Sequence, residues 1–253
     1  PLPLVQKIVV SHDTRIFRFG LSTPTTRLGL PTGMHMLLKA RINGELVMRP
    51  YSPMTDDSTM GHVDLLVKIY AAGVHPRFPD GGKMSQHLDS MKIGDSIDVK
   101  GPIGEFVYKG LGSFTWNHKP RQCKRIILIA GGTGLTPCYQ VLCAILKNSQ
   151  DDTKVCMLYA NQSPDDILLR EDLDDKARAS ADRFELWYTV DRVPEGSAWA
   201  FDVGFVTEEM LKAHVFPADE GTIALMCGPP PMTASAKAKM VALGHAEANV
   251  MIL

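Results

Sequence analysis

The sequence has no C-x-x-C pair, and its five cysteines (Cys123, Cys138, Cys143, Cys156 and Cys227) are odd in number. Neither a disulfide framework nor a structural zinc site is expected from such a set. Reduced thiols of this kind fit a cytoplasmic protein. The eight histidines lack ligand spacing, so no metal site is expected. Charge of one sign is also missing. Lys plus Arg is 27 and Asp plus Glu is 28, a net charge of −1. That balance gives no electrostatic case for nucleic acid or an acidic membrane as partner. No apolar run approaches the ~20 residues needed to span a bilayer, and no secretory signal is visible. The first residue is Pro1 rather than Met, which leads us to expect an excised piece or a processed product.

What is present is an ordinary globular balance, with 45% apolar and 22% charged residues. That is enough apolar surface to build a core, so disorder is excluded. The length of 253 residues predicts one large or two modest domains, at ~150 residues each. Residues 1–110 read as short strands at 4–10, 15–19, 34–41, 45–51, 63–70 and 96–100, with one helix at 83–91. Turn signals such as Asn43-Gly44 separate them, which predicts an antiparallel barrel or sandwich. Residues 111–124 are polar and aperiodic and are read as an interdomain linker.

From 125 to 253 the pattern alternates. Strands are predicted at 125–130, 155–159, 184–190, 222–227 and 250–253, and helices at 137–147, 166–177, 207–214 and 230–243. Alternation of this kind implies a parallel sheet wrapped by helices.

Two glycine turns open helices. In residues 126–137 (IILIAGGTGLTP) a strand runs into Gly131, Gly132, Thr133 and Gly134, with Thr136 expected as N-cap and Pro137 at the first helical position. Glycines let the backbone approach an anion, and a helix N-terminus offers free N–H groups. The spacing departs from G-x-G-x-x-G because Pro137 replaces the third glycine, and a plain strand-to-helix turn is the alternative. The second turn is Gly81-Gly82-Lys83-Met84-Ser85. Upstream lie Arg49, suited to a phosphate, Pro50, Tyr51, suited to an aromatic ring or polyol, and Ser52. Two diphosphate cradles suggest two dinucleotides, with hydride transfer between them at a domain interface. Cys227 ends a predicted strand, where parallel sheets line their ligand crevice. With no His or Asp nearby in sequence it is not read as a nucleophile. Asp191 ends another strand, where its carboxylate would bond ribose hydroxyls and oppose a 2′-phosphate. A turn-capping role is the alternative.

Together these segments, with residues 63–70, Gly101-Pro102, Tyr159-Ala160-Asn161-Gln162 and residues 227–232, resemble the ferredoxin-reductase superfamily, and within it the cytochrome-b5 reductase group. Residues 11–13, 28–31, 61–68 and 98–102 are similar to the FAD/NADH (cytochrome b reductase) portion of eukaryotic assimilatory nitrate reductases, and some are shared with stand-alone cytochrome-b5 reductases. The resemblance implies a β-barrel FAD domain (1–110), a linker (111–124) and an α/β NADH domain (125–253). It implies FAD contacts from Arg49, Pro50, Tyr51, Ser52, Val67, Ile69, Tyr70, Phe78, Gly82, Lys83, Met84, Ser85 and Thr136. NADH contacts are implied for Gly132, Thr133, Asp191, Cys227, Gly228, Pro229 and Met232, and catalytic roles for Ser52, Lys68 and Cys227. It further implies single-electron delivery to a b-type haem domain on the same polypeptide, in nitrate assimilation in the cytoplasm. The family's aromatic ending is replaced here by Val250-Met251-Ile252-Leu253. Competing readings are a nucleotide-binding module without catalysis, and an oxygenase-coupled reductase, whose iron–sulfur cysteine set this chain lacks.

Overall fold

The computed structural model describes residues 1–74 and 79–253. The chain divides into two units, Pro1–Gly104 and Glu105–Leu253.

The first unit contains β1 (Leu2–Val9), β2 (Thr14–Gly20), β3 (His35–Ile42), β4 (Glu45–Tyr51), β5 (His62–Lys68), α1 (Lys83–Ser90) and β6 (Ser96–Ile103). The strands form one antiparallel sheet in the order β4-β3-β6-β1-β2-β5. Period-two alternation builds it. On β2, Phe17 and Phe19 are buried while Arg18 faces outward to pair with Asp64 of β5 at 2.7 and 2.8 Å. The β3–β4 hairpin turns on Asn43 (φ 50°) and Gly44 (φ 82°), the two-residue turn whose twist suits a hairpin. Inward residues of all six strands, among them Leu4, Phe17, Leu38, Val47, Leu65 and Ile97, meet Met84 and Leu88 of α1 in one core. The sheet therefore curls around a single interior, with α1 laid against it. Burying a side chain such as Leu88 contributes roughly 1.5–3 kcal/mol. Strands β4 and β5 are the sheet edges, which is where Pro50 can sit without costing a ladder bond.

The second unit opens with β7 (Phe106–Gly110), β8 (Ser113–Trp116) and β9 (Lys119–Gln122), a three-stranded antiparallel sheet. This corrects the linker expected at 111–124. The strands are only four or five residues long, and their hairpin turns run through Leu111 and Gly112, then Asn117 and His118, all at positive φ. Only the Gly112 turn has a familiar sequence signal. Tyr108 fastens the small sheet by donating to Asp151 at 2.7 Å, while the Leu111 amide donates to the same carboxylate at 2.8 Å.

The main sheet and its helices follow: β10 (Arg125–Gly131), α2 (Leu135–Lys147), β11 (Lys154–Asn161), α3 (Arg170–Ala179), β12 (Phe184–Val190), β13 (Asp202–Val203), α4 (Glu208–His214), β14 (Thr222–Cys227), α5 (Pro230–Ala242) and β15 (Val250–Ile252). Its strand order is β13-β12-β11-β10-β14-β15, all parallel. Ile126 through Ala130 are all fully buried, as expected of a strand covered on both faces. The helix predicted at 166–177 begins only at Arg170. A 3-10 turn at Pro164–Asp166 precedes it, and Leu169 takes φ +55°, which breaks the helical path. From β10 the chain builds outward through β11 to β13, then returns to place β14 on the other side of β10. Strand order thus reverses between β10 and β14, and a ligand crevice belongs at the carboxyl ends of that pair.

Candidate functional site

In the first unit, the expected flavin residues cluster at the ends of the two edge strands and at the start of α1. Tyr70 follows β5. Its amide donates to Ser85 Oγ at 3.1 Å, and its carbonyl accepts from the Gly82 amide at 2.8 Å. Ser85 in turn donates to the Gly82 carbonyl at 3.1 Å. A Cβ on Gly82 would stand 2.5 Å from Ser85 Oγ and 3.1 Å from Tyr70 Cβ, so only glycine lets the turn close this tightly. Helix α1 carries no side-chain cap on Gly82. The amides of Lys83 and Met84 are left to an incoming anion. Ser85 Oγ is 4% exposed as a residue and committed to the turn, and Lys83 Nζ pairs with Glu45 at 2.6 Å. The cradle is therefore a backbone one.

Arg49 lies on β4, exposed, with its guanidinium donating to the Met48 carbonyl at 2.8 Å. It is near enough to Tyr51 to pull that phenol's pKa down. Burial is the larger effect and, with Tyr70 adding to it, pushes Tyr51 up to about 12. Tyr51 is thus a neutral ring with a donor at its rim, beside Ser52. Val67 faces Arg15 across the β2–β5 ladder, and Ile69 donates its amide to Asp13 at 2.6 Å. Lys68 Nζ pairs with Asp13 at 2.9 Å. Burial opposes the charge on Asp13, but Lys68 and the Thr14 and Ser11 hydroxyls outweigh it and hold that carboxyl below its ordinary range. Phe78 lies outside the described residues. An exposed guanidinium, a capless helix start and a neutral tyrosine fit an anionic group that also carries a flat ring.

In the second unit two turns pack against each other at the switch point. Gly132–Gly134 form a 3-10 turn that leads straight into α2. Winding begins there, so Gly134 is the N-cap and Thr136 is the second helical residue, which corrects the N-cap expected at Thr136. Its hydroxyl donates to the Thr133 carbonyl at 3.3 Å. A Cβ on Gly134 would stand 2.2 Å from the Cys227 carbonyl oxygen, and one on Gly131 would stand 2.6 Å from Met232 Sδ. Gly132, at φ +52°, has open space on its side-chain face. Tyr159 supports the turn from below by donating to the Gly132 carbonyl at 2.9 Å. Gly131, Gly132, Thr133, Gly134, Cys227, Gly228, Pro229 and Met232 are therefore brought to one crevice. Both α2 and α5 begin there without side-chain caps. Open space above a glycine beside two uncapped helix starts fits a second diphosphate.

Cys227 is half-buried, and burial raises its thiol pKa, with the Gly228 amide opposing. It stays a neutral thiol, in keeping with a non-nucleophilic reading. Asp191 follows β12, three strands from β14, with its amide donating to the Asn161 carbonyl at 2.9 Å. Burial and the neighbouring Asp166 raise its pKa, against Arg192. Leu253 donates its amide to Met226 at 2.9 Å, so the chain's non-aromatic last residues lie along β14. Two residues at this end of the sheet were given no role from sequence: Asn161 entered only as part of the segment 159–162, and Phe205 not at all. Phe205, just past β13, is 81% exposed. Asn161, at the end of β11, is a buried amide closing an otherwise apolar strand. An exposed phenylalanine and a polar residue ending an apolar strand were the available signals. Among the described residues no group of His, Cys, Asp and Glu could hold a metal, and no helix is long and apolar enough to cross a membrane.

Comparison with known proteins agrees with this division. Residues 1–108 match the oxidoreductase FAD-binding domain and residues 128–238 the oxidoreductase NAD-binding domain. NADH-cytochrome b5 reductase 2 of Xenopus tropicalis is 49% identical, over 98% of this chain and 84% of that protein. Nitrate reductase [NADH] of Volvox carteri is 50% identical, over 91% of this chain and 27% of that protein, so the chain spans about a quarter of it. The crystal structure of the cytochrome b5 reductase domain of Ulva prolifera nitrate reductase superposes with a TM-score of 0.95 at 45% identity, covering 100% of this chain and 96% of that one.

Proposed function

This chain belongs to the family of FAD- and NAD-binding oxidoreductases that includes the NADH-cytochrome b5 reductases and the cytochrome b5 reductase domain of nitrate reductase, and we propose that it is the reductase portion of a nitrate reductase. It takes electrons from NADH onto FAD. FAD supplies the chemistry that couples a two-electron donor to one-electron acceptors. In this reading the electrons leave singly to a b-type haem domain on the same polypeptide, in the cytoplasm. The observation that carries the reading is the superposition at TM-score 0.95 on that domain of the Ulva enzyme. A stand-alone NADH-cytochrome b5 reductase is the second reading, supported by the 98% of this chain that aligns with the Xenopus protein.

The residues divide the work. Arg49 and the amides of Gly82, Lys83 and Met84 hold the flavin diphosphate, while Ser85 shapes their turn. Tyr51 packs its neutral ring beside the flavin, Ser52 offers its hydroxyl to a ring nitrogen, and Pro50 stiffens the strand end. Val67 and Ile69 present backbone groups, and Tyr70 offers a ring to the adenosine end. Gly132, Thr133, Gly228, Pro229 and Met232 line the NADH crevice, and Thr136 is assigned to FAD. Cys227 keeps a neutral thiol beside the nicotinamide, and Lys68, oriented by Asp13, assists NADH. Asp191 selects the ribose. Exposed Lys39, Arg41, Lys109 and Lys119 offer positive charge to an acidic haem domain, so docking weakens as salt rises.

The chain is tested with NADH and, in turn, ferricyanide, a b-type cytochrome and nitrate. Reduction of the first two and none of nitrate is expected. Nitrate reduction by this chain alone would overturn the assignment. A coding sequence that places only a short membrane anchor ahead of Pro1 would favour the second reading.

Arg49→Ala is expected to weaken FAD binding about 10- to 100-fold, the usual cost of one charge-assisted contact. Gel filtration should strip the flavin from the folded variant. A folded Arg49→Ala protein that keeps stoichiometric yellow colour would remove Arg49 from the flavin site.

A further inference from the structure

Asn161 is the last residue of β11, the strand between β10 and β12. It pairs with Val190 on one side and lies one step beyond the Gly131–Ala160 pair on the other. Its carbonyl accepts the Asp191 amide. Residues two apart on a strand share a face, so Asn161 lies on the face of Tyr159, whose hydroxyl holds the Gly132 carbonyl. The amide is therefore set on the phosphate-cradle face, between the Gly132 turn and the Asp191 carboxylate.

Asn161 is 8% exposed, and neither Nδ2 nor Oδ1 has a hydrogen-bond partner. The other buried side-chain polar atom without one among the described residues is Thr222 Oγ1, at the opposite, amino end of β14. Buried polar groups are nearly always paired, and an unmet donor together with an unmet acceptor is costly. A structural role would satisfy the amide within the fold. A buried amide left unmet beside the Gly132 turn and the Asp191 backbone is kept for a ligand that settles there.

We propose that Asn161 is a pyridine-nucleotide contact, donating from Nδ2 to a diphosphate oxygen and accepting at Oδ1 from the adenosine ribose. This rests on the reading that the second unit binds NADH. The flanking groups fix the assignment: the amide stands between a turn suited to phosphate and a carboxylate suited to ribose hydroxyls, and it can serve both.

The test uses the full FAD-loaded chain and the probe ADP-ribose, which carries the diphosphate and adenosine ribose without a nicotinamide. Asn161→Leu keeps the branched outline of the side chain and removes both polar atoms. The dissociation constant for ADP-ribose and the KM for NADH are expected to rise at least tenfold, with kcat within twofold. The thermal midpoint without nucleotide should stay level or rise, because an unmet amide has been removed. The stabilisation that ADP-ribose gives the wild type should be lost. Asn161→Ser provides the same comparison should the leucine variant fail to fold. Unchanged ADP-ribose affinity in a folded variant overturns the proposal, as does a lowered midpoint with unchanged affinity, which would make the amide structural. Wild-type protein that does not bind ADP-ribose would overturn the NADH reading itself.

Discussion

Gly134→Ala is expected to slow reduction of the bound flavin by NADH about 100-fold while leaving FAD content unchanged. The added methyl carbon would stand 2.2 Å from the Cys227 carbonyl oxygen, 2.4 Å from its carbon and 2.6 Å from the Gly228 amide nitrogen. All three are backbone atoms, so no side-chain rotation relieves the clash. The turns after β10 and β14 must separate by about 1 Å, and displacement on that scale at a reacting site costs about 100-fold. The same overpacking should cost about 1–3 kcal/mol of stability. Gly132→Ala makes the contrast. Its methyl has open space, and the left-handed backbone costs roughly 1–2 kcal/mol. That variant should fold and lose NADH affinity instead, because the methyl stands in the room left for phosphate. Rapid mixing with NADH, followed at the flavin band, separates the two. A Gly134→Ala protein reduced at the wild-type rate would mean that close approach of the turns does not set the site.

The two-part architecture was legible because its signals are local and strong. Alternation on β2 and β3, the Asn43-Gly44 hairpin and the unbroken apolar run of β10 each point to one structure by period alone. The glycine turns were legible for a related reason, since glycine at such density marks backbone that must come close to something. The sheet at 106–122 was hidden because its strands are only four or five residues long. Its main anchor is the Tyr108–Asp151 hydrogen bond, a contact between residues 43 apart in the chain. The start of α3 was misplaced because Leu169 adopts a left-handed conformation that its identity does not announce.

Side-chain commitments were the least legible. Sequence shows that Ser85 and Lys68 are polar and well placed. Only the fold shows that Ser85 is tied to Tyr70 and Gly82, and Lys68 to Asp13. The same holds for Asn161. A polar residue at a strand end is commonplace, and what distinguishes this one is the absence of any partner for a buried amide, a property of its three-dimensional neighbourhood.

Asp191→Ser is expected to lower the preference for NADH over NADPH by about 10- to 30-fold, through a gain in kcat/KM for NADPH. A 2′-phosphate beside the Asp191 carboxylate meets like charge, and Asp166 lies close enough to raise the Asp191 pKa after burial has done so. At this exposed position the lost repulsion and the new phosphate contact together are worth about 1.5–2 kcal/mol. Once the carboxylate is gone, Arg192 next in the chain can take the phosphate. The direction of the pKa fixes the pH dependence. The carboxyl ionises at a higher pH than an ordinary aspartate, so discrimination is complete above that raised value and fades as pH falls through it. The stability effect has the opposite sign to that of a salt-bridged aspartate. A carboxyl whose pKa is raised in the fold is destabilising when ionised, and that cost disappears below its unfolded pKa. Asp191→Ser should therefore leave the thermal midpoint at neutral pH level or slightly raised. Steady-state rates with both nucleotides across pH, set beside thermal unfolding, check each part. Equal use of NADH and NADPH by the wild-type protein would remove Asp191 from the selecting role.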